Sequence, residues 1–335
     1  PDEERIPHIS LARSADLILV APATAQTIAR LAFGQADDLL SAIVLAGTAK
    51  VLVCPAMNSR MYLHAATQDN IRRIQGFGYQ VLEPDTGLMA CGEEGPGRLP
   101  EWSQVKNAVI GALTPQDLAG KTVLVTAGPT EEPLDPVRFI GNRSSGKMGY
   151  AMAAAARQRG ANVILISGPT RISPPAGVEC IRVRTAEEMY CEVLGRFDAA
   201  DIIVKAAAVS DFRPSAVSSE KIKKSTADQV VTLVQNRDIL KKLGEIKDQR
   251  ANPPLLIGFA AESENLLEYG REKLHRKNLD YIVINDISAA DSGFAVDTNR
   301  VTLLDRRGGR HDFPLLSKEE TAWALWDKVL SKQEG

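Results

Sequence analysis

The residues best suited to chemistry fall into three groups. Gly128-Pro129-Thr130 follows an apolar run, and Gly141-Asn142-Arg143-Ser144-Ser145-Gly146-Lys147-Met148-Gly149 opens an amphipathic stretch. Glycine- and hydroxyl-rich loops that feed a helix N-terminus turn free backbone N–H groups and a positive dipole end toward an anion. Gly141 to Lys147 satisfies G-x-x-x-x-G-K, but Met148 stands where a Walker loop needs a hydroxyl for Mg²⁺. A P-loop-like NTPase using Gly141–Lys147 is therefore the lesser reading, and no G-x-G-x-x-G links a strand to its helix as a nicotinamide site requires. The second group is Ala206–Asp211 at a strand end, then Lys221-Ile222-Lys223-Lys224, with Lys273 and Lys277 one helical turn apart. A charge run alone is usually a solvated face. At a strand C-terminus, where open α/β sheets bind ligands, an acid beside several lysines suits a metal-bridged triphosphate.

The third group lies in the first third of the chain. Ala21-Pro22-Ala23-Thr24-Ala25 and Pro55-Ala56-Met57-Asn58 each end an apolar run, with Met61-Tyr62 just beyond the second. Cys91-Gly92-Glu93-Glu94-Gly95-Pro96-Gly97-Arg98 is too glycine-rich for regular structure and is expected to be a mobile polar flap carrying one accessible thiol. His8 precedes a helical pattern and by itself is an ordinary surface histidine. Cys54, Cys180 and Cys191 sit in or beside apolar elements and are expected to be buried.

Positioning these groups requires two α/β units. In the first, Ala15–Ala21 is a strand, Thr24–Phe33 and Asp38–Leu45 are helices, Lys50–Val53 a strand, Met57–Gly76 a helix, Tyr79–Leu82 a strand and Trp102–Leu113 a helix. Near-continuous apolar strands alternating with helices imply parallel sheets covered on both faces. Thr114–Gly120 breaks the pattern, giving domains at 1–113 and 121–335 joined by 114–120. In the second unit, strands are expected at Lys121–Ala127, Asn162–Ser167, Asp201–Lys205, Gln229–Val234, Leu255–Phe259 and Tyr281–Ile284. Helices are expected at Lys147–Arg159, Asp238–Lys247 and Leu266–Asn278. Capping boxes at Thr185/Glu188 and Ser317/Glu320 open two more helices, and Asn299–Leu304 with Arg310–Phe313 forms a hairpin.

The 335 residues carry 40 Lys+Arg against 42 Asp+Glu, a net charge of −2 that leaves no global field for gripping nucleic acid. No apolar run approaches the roughly 20 residues that span a bilayer, so no membrane association is expected. Four cysteines without paired spacing point to reduced thiols and a cytoplasmic location.

The run Gly128–Ile140, then Asn142–Gly149, Ala206–Asp211, Lys221–Lys224, Asn236–Leu240, Gly258–Glu262 and Lys277–Asp280 resembles the phosphopantothenate–cysteine ligase family from about residue 120 to the end. The resemblance implies a doubly wound domain that activates the phosphopantothenate carboxylate with CTP, with Mg²⁺ as metal, and then joins cysteine to it. It implies that Asn142 and Lys221 serve the reacting carboxylate, that Arg138 and Asn142 hold substrate, and that Ala207, Asp211, Lys221, Arg237, Asp238, Ile239, Leu240, Phe259, Lys273 and Lys277 contact nucleotide. Arg237 departs from the proline usual in that family. The metal ligands are not assigned.

In the first unit, His8, Ala21–Thr24, Pro55–Asn58 with Met61-Tyr62, and Ala90–Arg98 resemble the flavin-dependent cysteine decarboxylase family. The resemblance implies a flavodoxin-like fold holding FMN through Pro22, Ala23, Thr24, Ala25 and Met57. It also implies an active-site His8, Asn58 and Arg98 on the substrate, and Cys91 as proton donor, a role suited to a thiol of pKa about 8.5. Together the halves imply a bifunctional enzyme of coenzyme A biosynthesis acting on small molecules and assembling as a homo-oligomer. A non-catalytic flavoprotein-like subunit is the other alternative, made unattractive by the coexistence of His8, Asn58 and Cys91. Because that fold begins with a strand, glycine-rich turn and helix not found before Pro1, the expectation is an N-terminally incomplete flavodomain that binds FMN poorly.

Overall fold

A computed structural model describes residues 6–88, 92–223, 230–262, 266–286 and 298–331. The chain divides into two compact units, Pro1–Pro115 and Gln116–Gly335.

Unit 1 runs α1 (Pro7–Ser14), β1 (Leu17–Ala23), α2 (Ala25–Phe33), α3 (Leu39–Ala46), β2 (Lys50–Pro55), α4 (Ser59–Leu63), α5 (Ala65–Gly76), β3 (Gln80–Val81), β4 (Asp85–Leu88), β5 (Glu94–Arg98) and α6 (Trp102–Leu113). Among the described residues β1, β2 and β3 form a parallel sheet, with Val51, Leu52, Val53 and Cys54 of β2 buried. Thr24 caps α2 by accepting the Thr27 N–H at 3.2 Å, and Asp38 caps α3 in a box with Ser41.

The structure corrects three expectations in this unit. The helix expected over Met57–Gly76 is two helices, interrupted at His64, whose Nδ1 accepts the Ala66 N–H and restarts the chain as α5. The expected irregular flap contains β5, paired antiparallel with β4, because its glycines take extended backbone angles, φ 158° at Gly95 and 147° at Gly97, that other residues avoid. The third strand is confined to Gln80–Val81.

Unit 2 contains β6 (Thr122–Ala127), β7 (Glu131–Pro133), β8 (Phe139–Gly141), α7 (Lys147–Gln158), β9 (Asn162–Ser167), β10 (Glu179–Arg182), α8 (Ala186–Gly195), β11 (Ile202–Lys205), β12 (Phe212–Pro214) and β13 (Leu233–Gln235). After these come α9 (Ile239–Ile246), β14 (Leu255–Glu262), α10 (Leu266–Arg276), β15 (Tyr281–Asp286), β16 (Thr298–Asn299), β17 (Val301–Asp305), β18 (Arg310–Asp312), β19 (Leu316–Ser317) and α11 (Lys318–Leu330). The described sheet has the order β10-β9-β6-β11-β14-β15-β17-β18, parallel from β10 to β15 and closed by the antiparallel β17–β18 hairpin. This is a doubly wound α/β sheet with its expected appendage. Both expected capping boxes are formed.

Two apolar layers flank that sheet. One joins α7 and α11 to Val123, Val125, Val204 and Ile257; the other joins α8, α9 and α10 to Leu124, Ile203, Leu256 and Ile282. Alternate side chains of one strand thus enter opposite layers, as a strand's two-residue period requires. In the first layer the fully buried Trp326 donates its indole N–H to Met152 O at 3.1 Å. Gly149 permits the close seating of α7 on β6, since a Cβ there would lie 2.6 Å from that of Ala127. At the end of α7, Arg159 (3% exposed) gives two hydrogen bonds to Asp117, at 2.9 and 2.7 Å, and one to Asp327 at 2.6 Å, while covering the Trp323 ring.

Edge strand β10 and the β7–β8 hairpin carry no apolar period strong enough to be expected from sequence. The strand expected at Gln229–Val234 is the short β13, three residues at Leu233–Gln235 paired with β12, and Gln229 lies outside the described residues. Cys54 is buried as expected, but Cys180 on edge strand β10 is only half-buried. Cys191 is exposed on the outer face of α8 above Glu187, so the expectation of buried thiols is corrected for it.

Candidate functional site

At the C-terminal edge of the unit 2 sheet lies a cleft of about 640 Å³. Most of the motif residues from sequence converge there. Asn142–Gly149 forms one wall, Ala206–Asp211 the floor's edge, Asn236–Leu240 the opposite wall, and Phe259, Lys273 and Lys277 line its interior. The glycine motifs make this possible. Gly128 (φ +75°) and Gly146 (φ +79°) pass so closely that a Cβ on Gly146 would stand 3.2 Å from Gly128 N. Thr130 Oγ1 accepts the Ser210 N–H at 3.0 Å, and Asn142 Nδ2 donates to Val209 O at 3.0 Å, tying the loops after β6, β8 and β11 together.

Sequence reasoning missed the most unusual residue in the cleft. Lys205 ends β11 on the α9/α10 side, is 9% exposed, and donates to Ala207 O at 3.3 Å. Burial pulls its pKa from 10.5 down to about 7; Asp238 works against that, whereas the positive charges of Lys277 and Lys273 reinforce it. Asp238 caps α9 through the Lys241 N–H and pairs with Lys277 Nζ at 2.7 Å. Burial would raise the Asp238 pKa, but the bonds from Lys277 and Lys241 outweigh it and leave it lowered. The result is a cationic lobe against two carboxylates, Asp238, which is already engaged, and Asp211. Only a lysine directly after the apolar run Ile202–Val204, at the strand's end, signals Lys205 in the sequence.

Other expected residues occupy different places. Arg138 and Lys221 are not among the cleft's lining residues. Asp135, buried at 3%, accepts from the Arg138 guanidinium at 2.9 and 2.6 Å, from the Val137 and Arg138 N–H groups, and from the Ile222 N–H at 3.1 Å; Arg138 in turn donates to Ile222 O at 2.9 Å. Arg138 first, with burial opposing and the backbone N–H donors helping, drives the Asp135 carboxyl far below the usual carboxylate range. This pair clasps the Lys221–Lys223 segment, and Lys221 itself is exposed. Lys224 lies outside the described residues. Arg237 turns toward α8, pairing with Glu187 at 3.2 Å and lying over the Tyr190 ring, so its loop holds a conformation in which the departure from proline is accommodated.

The P-loop alternative loses its support here. The strand before Gly141–Lys147 is the short antiparallel β8, and Met148 Sδ accepts from Asn299 Nδ2 at 3.3 Å. Among the described residues no group of three or more His, Cys, Asp or Glu could hold a metal.

Unit 1 presents a second strand edge. Ala23 and Pro55 are register partners, and the Ala56 N–H donates to Ala23 O at 3.0 Å, so the turns after β1 and β2 lie side by side. Pro22 and Thr24 are exposed, Ala25, Ala56 and Met57 half-buried. This small, uncharged ledge fits a planar ring laid against backbone. Asn58 caps α4 through Arg60 N at 2.8 Å and donates from Nδ2 to Glu93 Oε2 at 2.9 Å. The flap docks beside it: the Met57 N–H donates to Gly97 O, and Ser59 Oγ donates to Pro96 O at 2.8 Å. A Cβ on Gly95 would collide with Ser59 Oγ, which is buried and committed to Pro96 O, so glycine is favoured there. Arg98 ends β5 opposite Asp85, and His8 is half-buried in the first turn of α1. Ala90 and Cys91 lie outside the described residues.

Residues 1–114 match the flavoprotein family, and residues 118–332 match the DNA/pantothenate metabolism flavoprotein C-terminal domain. The chain is 46% identical over 336 residues to the coenzyme A biosynthesis bifunctional protein CoaBC of Bacillus subtilis (strain 168), covering 98% of this chain and 82% of that one. It is 43% identical over 336 residues to the protein of the same description in Escherichia coli (strain K12), covering 99% and 82%. A crystal structure of the C-terminal domain of a CoaBC protein covers 65% of this chain and 98% of its own, with a TM-score of 0.56 and 42% identity.

Proposed function

The chain belongs to the family of bifunctional coenzyme A biosynthesis proteins, and on that premise we propose how its two strand edges divide the work. The protein is an enzyme with ligase and decarboxylase activities on small molecules, and its first unit is a flavoprotein domain.

Unit 2 performs the ligation: CTP activates the phosphopantothenate carboxylate as an acyl-cytidylate with loss of pyrophosphate, and cysteine's amine then displaces cytidine monophosphate. The observation that supports this reading is the burial of Lys205 beside Lys273, Lys277 and Asp238 at a strand edge. Those lysines screen a polyphosphate against the approaching carboxylate, in a site where low polarity strengthens each contact. Asn142 is the amide that holds the reacting carboxylate, Lys221 acts on it from the segment clasped by Asp135 and Arg138, and Ala207, Ile239, Leu240 and Phe259 supply apolar contact to the nucleotide. Asp211, the cleft carboxylate that no lysine is seen to pair among the described residues, would hold the Mg²⁺ of the triphosphate together with substrate phosphates, in keeping with that ion's habit of binding through few protein ligands.

Unit 1 performs the decarboxylation. Pro22, Ala23, Thr24, Ala25 and Met57 would hold FMN on this ledge, and the bound flavin would supply two-electron redox chemistry at the substrate thiol. Asn58 holds the substrate carboxylate through the Nδ2 that now meets Glu93, Arg98 adds charge, His8 serves the site, and Cys91 returns a proton. Exposed large apolar side chains on unit 1, among them Phe33, Leu45, Leu63 and Trp102, support a homo-oligomer.

Pyrophosphate release, measured with phosphopantothenate, cysteine, Mg²⁺ and each nucleotide in turn, tests the ligase. Turnover with CTP that falls in Lys221→Gln and Asn142→Asp is expected. Folded protein without turnover, or variants indifferent to both changes, would defeat it.

A further inference from the structure

On the α7/α11 side of the sheet the cleft has lining residues that, Phe259 apart, the nucleotide contacts do not explain. Alternation along the strands sends Lys205 toward α9 and α10, but Phe259 packs with the opposite layer, whose Met148 also faces the cleft. Asn285, Asn299 and Lys318 line this same region. Asn299 is 3% exposed and Lys318 7%.

Asn299 is the telling residue. Its Nδ2 donates to Met148 Sδ at 3.3 Å, and that bond turns Oδ1 away from the sulfur. Among the described residues Oδ1 has no hydrogen-bond partner. A buried acceptor left without a donor is destabilising by about 1–3 kcal/mol, and such a cost persists where a ligand's N–H meets the atom. Beside it stands a lysine more than nine-tenths buried, whose ammonium has three donors. An acceptor for a positive nitrogen next to a cation for a negative oxygen is the complement of a zwitterion. The polarizable thioether of Met148 adds a soft surface suited to sulfur.

We propose that Asn299 and Lys318 form the α-amino-acid subsite of the cleft, Asn299 Oδ1 receiving the amino group of cysteine and Lys318 its carboxylate. The assignment rests on the ligase reading of unit 2 and names the place of its second substrate. It leaves the polyphosphate to the lysine lobe on the other side of the sheet. A nucleobase bearing an exocyclic amine would also satisfy Oδ1, with Phe259 as its stacking partner, and its ring acceptors could take a hydrogen bond from Lys318; being neutral, it would leave the charge of the buried ammonium unbalanced, which a carboxylate would not.

The test uses the full chain and steady-state kinetics in both substrates. Asn299→Leu removes the acceptor; Asn299→Ser keeps a smaller one and carries the prediction if Leu lowers the melting temperature. Loss of one hydrogen bond to a charged group should raise the KM for L-cysteine about tenfold or more. The KM for CTP and the cysteine-independent burst of pyrophosphate should stay unchanged. In Lys318→Gln the preference for cysteine over cysteamine, which lacks the carboxylate, should fall by a similar factor. An unchanged cysteine KM with an intact burst overturns the subsite and leaves the ligase standing. A loss of discrimination between CTP and UTP, without change in cysteine KM, assigns Oδ1 to the base instead. Wild-type protein that releases no pyrophosphate overturns both.

Discussion

The two strand edges solve the same topological problem with opposite electrostatics. In unit 2 the edge is loaded with charge: Lys205 is buried beside Lys273 and Lys277, and the nearby carboxylate of Asp238 is already paired. In unit 1 the corresponding edge is a ledge of Pro22, Ala23, Ala56 and Met57, and its polar residue Asn58 is held by a flap. The difference follows from where each reaction keeps its difficulty. Joining two polyanions needs protein charge kept out of water, whereas a bound redox cofactor carries its own chemistry and asks the protein for shape.

The strongest challenge to that contrast is Lys205→Met. Pyrophosphate release should fall by about 10²–10³-fold, on the scale of a lost transition-state donor, while decarboxylation of added phosphopantothenoylcysteine is unaffected. Equal losses in both activities would erase the division. The same lysine sharpens it through pH. With a pKa near 7, Lys205 is mostly neutral in the free protein at pH 8, and an arriving triphosphate favours its charged form. Nucleotide binding at pH 8 should take up protons, as read by calorimetry in buffers of different ionisation heat, and Lys205→Arg should abolish the uptake. Folding has the opposite linkage: the folded lysine holds its proton less tightly than the unfolded one. The stability penalty is therefore full below about pH 7 and fades as pH rises toward the unfolded lysine range.

Asp135→Asn weakens the clasp on the Lys221 segment and should lower ligation about tenfold, by about the worth of one charge-assisted hydrogen bond, with nucleotide affinity preserved. Gly95→Ala tests unit 1: its Cβ collides with Ser59 Oγ, and overpacking of this kind costs about 1–3 kcal/mol. Decarboxylation should fall while ligation holds. Smallest is Thr24→Ala, which removes the α2 cap and should destabilise unit 1 by about 1 kcal/mol in a denaturant melt.

Much of this was legible in the residues themselves. Runs such as Lys121–Ala127 and Asn162–Ser167 became central strands because unbroken apolar runs leave a chain few other places to go, and the Thr185/Glu188 and Ser317/Glu320 boxes formed at the expected residues. The glycine-rich flap is not legible in the same way, because glycine's freedom reads as irregular chain until a partner strand and Ser59 fix its conformation. Lys205 gives no such signal, since a lysine at a strand end ordinarily reaches water and only the folded cleft buries this one. Asn299 and Lys318 were invisible for a different reason. They meet Met148 across about half the chain, and no local pattern records such a meeting.

Arg159 has a consequence for how unit 2 holds together. Its guanidinium grips Asp117, where the chain enters the unit, and Asp327, in the helix that completes it. Unit 2 is therefore nearly a ring, with a buried cation at its seam. Fraying on either side of the seam strips that cation of a counter-charge, so neither margin loosens without taxing the other. A ring of this kind is open to circular permutation: the two margins joined by a short linker and the chain re-cut at the Arg306–Gly309 turn should still fold around the same cleft.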